Sequence, residues 1–458
     1  MRTDVMRYLL CGVMLLASVP FAPAAFAVVQ DEERVVDLWQ LFQEAELQDP
    51  RVLAGRALLE GGKWRKREAF GQLLPQLSAS STLNRTAQEN DMTRQAYNGE
   101  RYALTLSQVI YDSQAWNNYR RYSELAVQQQ AEFAVTQEEA TLDLIERYFT
   151  ALAAEDELAL LSAELRATER SLARVDSLYK RQLATITDVL EISARVDSLK
   201  AGEIEARNAV EVGREALSEI VGREIVGRLK RVDQQAVFLP PEHDREYWVR
   251  QAISENPIIE ARSRAVAAAQ AAMQQASGGY RPKVSLSLSG QRSDIGYENS
   301  QAQITDTYVV SLGVQVPLYS GGSTRARVSA SASDLIVAEQ ELEQAKRQVV
   351  RETRSAFYDA QAGVSKIAAA RKAMKSSTKA REAAEHAFGY GVMNAVDVLN
   401  SIKEEYAARR AMLQSQYDFI LSSLLLRRWS GSLVRNDVRT VNEWLLDALP
   451  LATTESGG

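Results

Sequence analysis

The sequence predicts a mainly α-helical fold with a small β part, built twice in tandem. Three observations carry this. Short motifs recur in the same order at an offset of 207 to 209 residues. Two long stretches, 76–239 and 318–449, contain no proline and carry helical periodicity. Between the motifs lie four short stretches, most of them alternating apolar and polar residues with period two.

The repeat is read from five matches. "AELQDP" (45–50) answers "AISENP" (252–257), and Pro75 of "LLPQL" answers Pro282 of "YRPKV". "SQVIY" (107–111) answers "QVPLY" (315–319), and "RYFTA" (147–151) answers "SAFYD" (355–359). "LATITDVL" (183–190) answers "VMNAVDVL" (392–399), with Asp188 and Asp397 in register. Five matches at one offset imply two tandem halves: a first repeat over 28–242 and a second over 243–447.

Each half opens with a helical segment, about 33–70 and 243–276, carrying an early Asp-Pro or Asn-Pro turn. Pro75 or Pro282 ends it. Strands are expected within 76–110 and 283–318. In "KVSLSLSG" Val284, Leu286 and Leu288 share one face; in "YVVSLGVQV" Tyr308, Val310, Leu312, Val314 and Val316 do. The segment 77–85 alternates least. Each strand pair flanks a polar loop, within 86–100 and 293–306. Alternation fits a soluble sheet with its apolar face inward and a membrane barrel with that face outward.

Long helical hairpins follow, over 113–222 and 323–429, with a C-terminal helix after the second. Residues 116–183 also lack glycine, and a helix of that length is roughly 100 Å long. Leu158, Leu161, Leu165, Thr168, Leu172, Val175 and Tyr179 trace a 3-4 seam of the coiled-coil type. The switch from strand to helix uses Asp112 in the first half and Gly321, Gly322 and Ser323 in the second: the glycines bend the chain, and Asp112 and Ser323 can cap. The two Asp-Val-Leu copies mark the hairpin turns. For Asp188, three before Glu191, helix capping is the favoured reading. For Asp397, three before Asn400, capping and a functional role both stand.

The N-terminus reads as a secretory signal peptide over 1–27: Arg2 and Arg7, an apolar core, then "AFA". Cys11, the single cysteine, lies early in that core, which argues against a lipoprotein cysteine, so the mature chain is expected to carry no disulfide. Residues 448–458 are expected to form a flexible tail. No run of 18 apolar residues follows residue 27, so the exported chain is periplasmic, secreted, or in an outer membrane as a barrel. A net charge of −6 gives no sign of nucleic-acid binding. The only histidines, His243 and His386, lie far apart, and no catalytic or phosphate-binding motif occurs. No enzyme, cofactor or metal is expected. Glu138–Glu139 and Glu404–Glu405 sit at adjacent helical positions and read as solvated faces.

With "LLPQL", "LSQVIYDSQAW", "RYFTALAAEDEL", "VPLYSGG" and the turns "TDVL" and "VDVL", the chain resembles the TolC family of outer-membrane efflux and export channels over about 33–447. The resemblance implies a homotrimer in the outer membrane of a Gram-negative-type cell. Four strands per protomer would build a 12-stranded barrel, and the hairpins an α-helical tunnel across the periplasm. It would be the exit duct of a tripartite efflux pump or type I secretion system, with outer-membrane lipids, a periplasmic adaptor and an RND-type or ABC inner-membrane pump as partners. The resemblance also places Asp397 in a ring at the periplasmic aperture, with uncharged Asn400 at the second ring position. Thr187 and Asp188 match residues that help hold the aperture shut. Their usual partners are a tyrosine and an arginine, where this chain has Phe388 and Met393, which supply neither a hydroxyl nor a charge. Gly391 keeps the turn glycine; Gln182 replaces it in the first half. The alternative reading is a periplasmic coiled-coil adaptor or scaffold without a channel, which would need neither four strands nor a duplicated hairpin.

Overall fold

The computed structural model describes residues 35–89, 94–233, 236–294 and 304–447. The signal peptide, the tail and the centres of both polar loops (90–93 and 295–303) lie outside the described residues.

The first half runs β1 (Val35–Val36), α1 (Leu38–Gln48), α2 (Pro50–Gly71), β2 (Gln76–Glu89), β3 (Arg94–Asp112), α3 (Ser113–Lys180) and α4 (Ile186–Val221). After β4 (Arg228–Leu229) and β5 (Arg231–Val232) come α5 (Arg245–Glu255), α6 (Pro257–Ser277), β6 (Lys283–Asp294) and β7 (Ile304–Gln315). The chain closes with α7 (Ser323–Gly389), α8 (Ala395–Trp429), α9 (Arg435–Glu443) and β8 (Leu445–Leu446).

The proline turns divide the opening helices the same way in both halves. Asp49 is extended, its carboxylate accepts from the Arg51 amide at 2.8 Å, and Pro50 starts α2. Asn256 accepts from the Ile258 amide at 2.9 Å, and Pro257 starts α6. Proline suits these positions because the first helical amide lacks an intrahelical partner.

The four long strands form one antiparallel sheet in the order β2-β3-β6-β7, and both edges, β2 and β7, are unpaired among the described residues. Leu106 lies opposite Leu288, and Leu288 opposite Val310, so the apolar positions share a face. On the other face the Ser287 and Ser311 hydroxyls meet at 2.6 Å. The β7 ladder stops at Gln315, short of the 318 expected, because Pro317 has no amide to donate. A β-bulge separates Val109 from Tyr111 in β3.

Below the sheet the helices keep the strand order: α3 packs along α2 and α6, and α6 along α7. Helices α3 and α7, of 68 and 67 residues, continue downward beside their partners α4 and α8. The seam holds over its middle: Leu165, Thr168 and Val175 are buried, and Leu165 and Val175 share apolar clusters with Ile192, Val196 and Leu199 of α4, whereas Tyr179 at the expected end is 40% exposed. Each such fully buried aliphatic side chain contributes about 1.5–3 kcal/mol.

The main core sits midway along the helices. Tyr148 and Leu152 of α3, Leu217 of α4, Ile420 of α8 and Leu41 of α1 are buried together there. Four two-residue strands, too short to show any period, join the segments before α1 and after α9 to the linker between the halves: β1 pairs with β4 and β5 with β8. Arg231 of this linker pairs with Asp156 of α3, which also accepts from the Tyr417 hydroxyl of α8. Burial pushes the Asp156 carboxyl upward despite these partners.

Candidate functional site: hairpin tips and strand-to-helix switches

The first tip closes on Gln182, whose φ of +65° puts a side-chain-bearing residue in the left-handed region. The Leu183 amide then reaches back to the Leu178 carbonyl at 2.9 Å. Thr185 is the N-cap of α4, and its hydroxyl accepts from the Asp188 amide at 3.2 Å. The Asp188 carboxylate returns the bond, accepting from the Thr185 amide at 3.1 Å and hydroxyl at 2.7 Å. The Thr187 hydroxyl joins at 2.6 Å from that of Thr185. This is a complete capping box.

The second tip has the same path with different chemistry. Gly391 takes the left-handed position at φ +75° without a Cβ to strain, and the Val392 amide reaches the Ala387 carbonyl at 3.0 Å. Asn394 is the N-cap and accepts from the Asp397 amide at 2.8 Å. Among the described residues the Asp397 carboxylate makes no hydrogen bond or ion pair. Asp397 is half-buried, and Asn400, one turn on, is exposed.

Neither aspartate is itself the N-cap, which corrects the expectation for Asp188. The helices start at Ile186 and Ala395, so each aspartate lies at the third helical position, with the cap three residues earlier. The signal was in the sequence as Thr185-x-x-Asp188 and Asn394-x-x-Asp397.

The Asp188 carboxylate takes its hydrogen bonds from Thr185, and Phe388 and Met393 serve in packing. Phe388 packs into a cluster with Val175 and Ile192 of the first hairpin and Ala395 and Leu399 of the second, and the Arg174 guanidinium lies 5.1 Å from its ring centroid. Met393 packs against the main core cluster. An apolar plug and a cation–π contact thus tie the hairpins together near their tips.

Higher up, each hairpin holds one carboxylate that is only 1% exposed. Glu164 of α3 takes Arg195 of α4 at 2.5 Å and Arg410 of α8 at 3.0 Å, joining both hairpins. Glu405 of α8 takes Arg381 of α7 and, at 2.6 Å, Arg409 of its own helix, all within the second hairpin. Sequence reasoning missed Arg174 and Glu164, and its reading of Glu138 and Glu405 as parts of solvated faces is corrected: Glu405 is 1% exposed and burial raises the Glu138 carboxyl to about 7, because charges on long polar helices carry no cue to which neighbouring helix covers them.

The two switches also differ. Asp112 caps α3, accepting from the Gln114 and Ala115 amides at 2.8 and 3.2 Å, and Lys283 sits 3.2 Å from its other oxygen. In the second half Gly322, at φ +82°, is the cap position, preceded by Gly321 at φ +62°. Ser323 is not the cap: its hydroxyl donates to the Ser320 carbonyl at 2.8 Å, because two consecutive left-handed residues already turn the chain into the helix.

The Outer membrane efflux protein family matches residues 41–223 and 248–432, most of both halves. The chain belongs to that family. It is 28% identical over 434 residues to the outer membrane protein TolC of Vibrio cholerae, covering 93% of this chain and 97% of that protein. It is 26% identical to the alkaline protease secretion protein AprF of Pseudomonas aeruginosa, covering 86% and 84%. The fold is also that of the CmeC outer membrane channel of Campylobacter jejuni, with a TM-score of 0.77 over 89% of each chain at 14% identity. The efflux-family member described here is an outer-membrane protein. The solved structure of OprN, which shares this fold with a TM-score of 0.73 at 20% identity, is likewise described as an outer-membrane channel.

Proposed function

We propose that this family member is a homotrimeric channel-tunnel, the exit duct of a tripartite efflux pump or type I secretion system. One observation carries the reading: among the described residues the four-stranded sheet has two open edges and an exposed apolar face. Tyr308, Val310 and Leu312 are 84, 72 and 66% exposed. Open edges are not tolerated in hydrocarbon, and four strands are too few to close a barrel. Three copies joining β2 to β7 would give twelve strands with the apolar face toward lipid and the serine face toward the lumen.

In this reading the chain is two tandem repeats, 28–242 and 243–447. The polar segments 86–100 and 293–306 lie at the cell surface, and the hairpin tips reach into the periplasm to meet an adaptor and an RND-type or ABC pump. Three copies of Asp397 ring the aperture with Asn400 beside them, and the capping-box tip of Thr187 and Asp188 holds its hairpin. Phe388 replaces a polar lock with packing, and Met393 adds to it. The exposed strand face argues against a soluble scaffold, which would have no use for it. Native mass measurement in detergent tests assembly. A trimer is expected; a stable folded monomer would overturn the reading.

A further inference from the structure

Where sheet turns into helix, a cavity of about 800 Å³ opens beside β3, the start of α3 and the end of α6. Arg120 of α3 and Arg281, just before β6, both line it, with Trp116 and Tyr111. Among the described residues neither guanidinium is paired with a carboxylate. Arg281 donates to the Ser113 hydroxyl at 3.3 Å. The acid of this cavity, Asp112, is already engaged by the Gln114 and Ala115 amides and by Lys283. Two unneutralised guanidiniums in one cavity favour a phosphate oxyanion, which the planar fork binds in two-point fashion.

The other side of the cavity is aromatic. Trp116 and Tyr111 are 49 and 43% exposed, and Trp116 packs against Tyr119, which packs against Phe70. Such half-exposed amphipathic rings suit a membrane–water boundary. The β-bulge after Val109 sets Tyr111 opposite Val284, on the face that continues through Leu286 and Leu288. The apolar face of the sheet therefore reaches the cavity along β6, through Leu288, Leu286 and Val284, while on β3 Gln108 stands opposite Leu286 between Leu106 and Tyr111.

We propose that this cavity binds a phospholipid of the inner leaflet of the outer membrane. Arg120 and Arg281 hold the phosphodiester, Trp116 and Tyr111 flank the glycerol esters, and the acyl chains lie along β6. The inference rests on the reading that the apolar strand face is in the membrane. A lipid, rather than free phosphate, is favoured by the apolar row of β6 that leads to the cavity.

The test is native mass spectrometry of the full-length protein extracted from membranes in mild detergent, beside the Arg120→Gln/Arg281→Gln variant. The wild type is expected to retain phospholipid adducts, up to one per protomer. The double variant should lose roughly tenfold or more of them. The single variant Arg120→Gln alters an exposed side chain at the helix surface, so its loss of adducts reads the site even if the double variant fails to assemble. Millimolar inorganic phosphate should leave the adducts in place. Equal retention in wild type and variants would overturn the proposal, and displacement by inorganic phosphate would overturn the lipid source. Recovery of the wild type in the soluble fraction would overturn the membrane reading itself, a result distinct from a membrane-bound protein without adducts.

Discussion

The two hairpin tips follow one backbone path and differ in what their aspartates do. At the first, the Asp188 carboxylate is held by the Thr185 amide and hydroxyl, and the left-handed position is filled by Gln182. At the second, glycine fills that position and the Asp397 carboxylate is left without a partner among the described residues. The same difference runs up the hairpins: Glu164 spans both, while Glu405 stays within one. A tip whose acid is tied down serves structure. In the proposed tunnel, a tip whose acid is free would be available to ions passing along the axis.

The largest effect should come from the buried carboxylates. Breaking a buried pair by removing one partner costs about 3–5 kcal/mol. Arg195→Ala leaves Glu164 with Arg410 alone and is expected to cost about 3 kcal/mol, read from the denaturant midpoint. Arg381→Ala should cost a similar amount. Of the three, only Arg410→Ala, which cuts an ion-pair tie between the hairpins, should raise proteolysis of both hairpins together. Equal local effects from all three would break the comparison.

A pH effect separates the hairpins next. Burial near Glu139 raises the Glu138 carboxyl of α3 to about 7, against the pull of Arg428. The folded state therefore holds this proton more tightly than the unfolded one, so the contribution of Glu138 to stability is full below about 4.5 and is lost as pH rises through about 7. Glu138→Gln should stabilise by about 2 kcal/mol at pH 8 and leave stability near pH 4.5 unchanged. Thermal melts at the two pH values decide it; equal shifts at both would contradict the assignment.

Turn chemistry gives a smaller and opposite pair of effects. A side-chain-bearing residue in the left-handed region costs about 1–2 kcal/mol. Gln182→Gly should therefore stabilise by about 1 kcal/mol after the entropy cost of glycine, and Gly391→Ala should destabilise by about as much. No heavy atom lies within 4 Å of an added Cβ at Gly391, so the loss is backbone strain alone. Two changes of the same sign would mean that the turns do not share a path.

The sequence carried the large-scale pattern because proline spacing, period-two alternation and the recurring motifs report local geometry directly. The seam through Leu165, Thr168 and Val175 and the cap at Asp112 were legible for the same reason. The caps at Thr185 and Asn394 were written in the sequence but misassigned by three residues, since an aspartate is as good a first-position cap as a third-position partner. Ser323 failed as a cap because glycine conformation, not side-chain chemistry, sets that turn. The two-residue strands, the Arg174–Phe388 contact and the Glu164 and Glu405 clusters depend on which helices lie side by side, and no spacing within one helix encodes that.

The smallest effect on folding should accompany the largest on function. Asp188→Ala is expected to cost about 1 kcal/mol through its capping box, and Asp397→Ala only a few tenths through the helix dipole. Single-channel recording in planar bilayers then tests the central claim most directly. With three Asp397 carboxylates at the aperture, the wild type should favour cations and be blocked by multivalent ones. Asp397→Ala should lose both properties, while Asp188→Ala keeps them. Unchanged selectivity and block in Asp397→Ala, or an equal loss in both variants, would contradict the account.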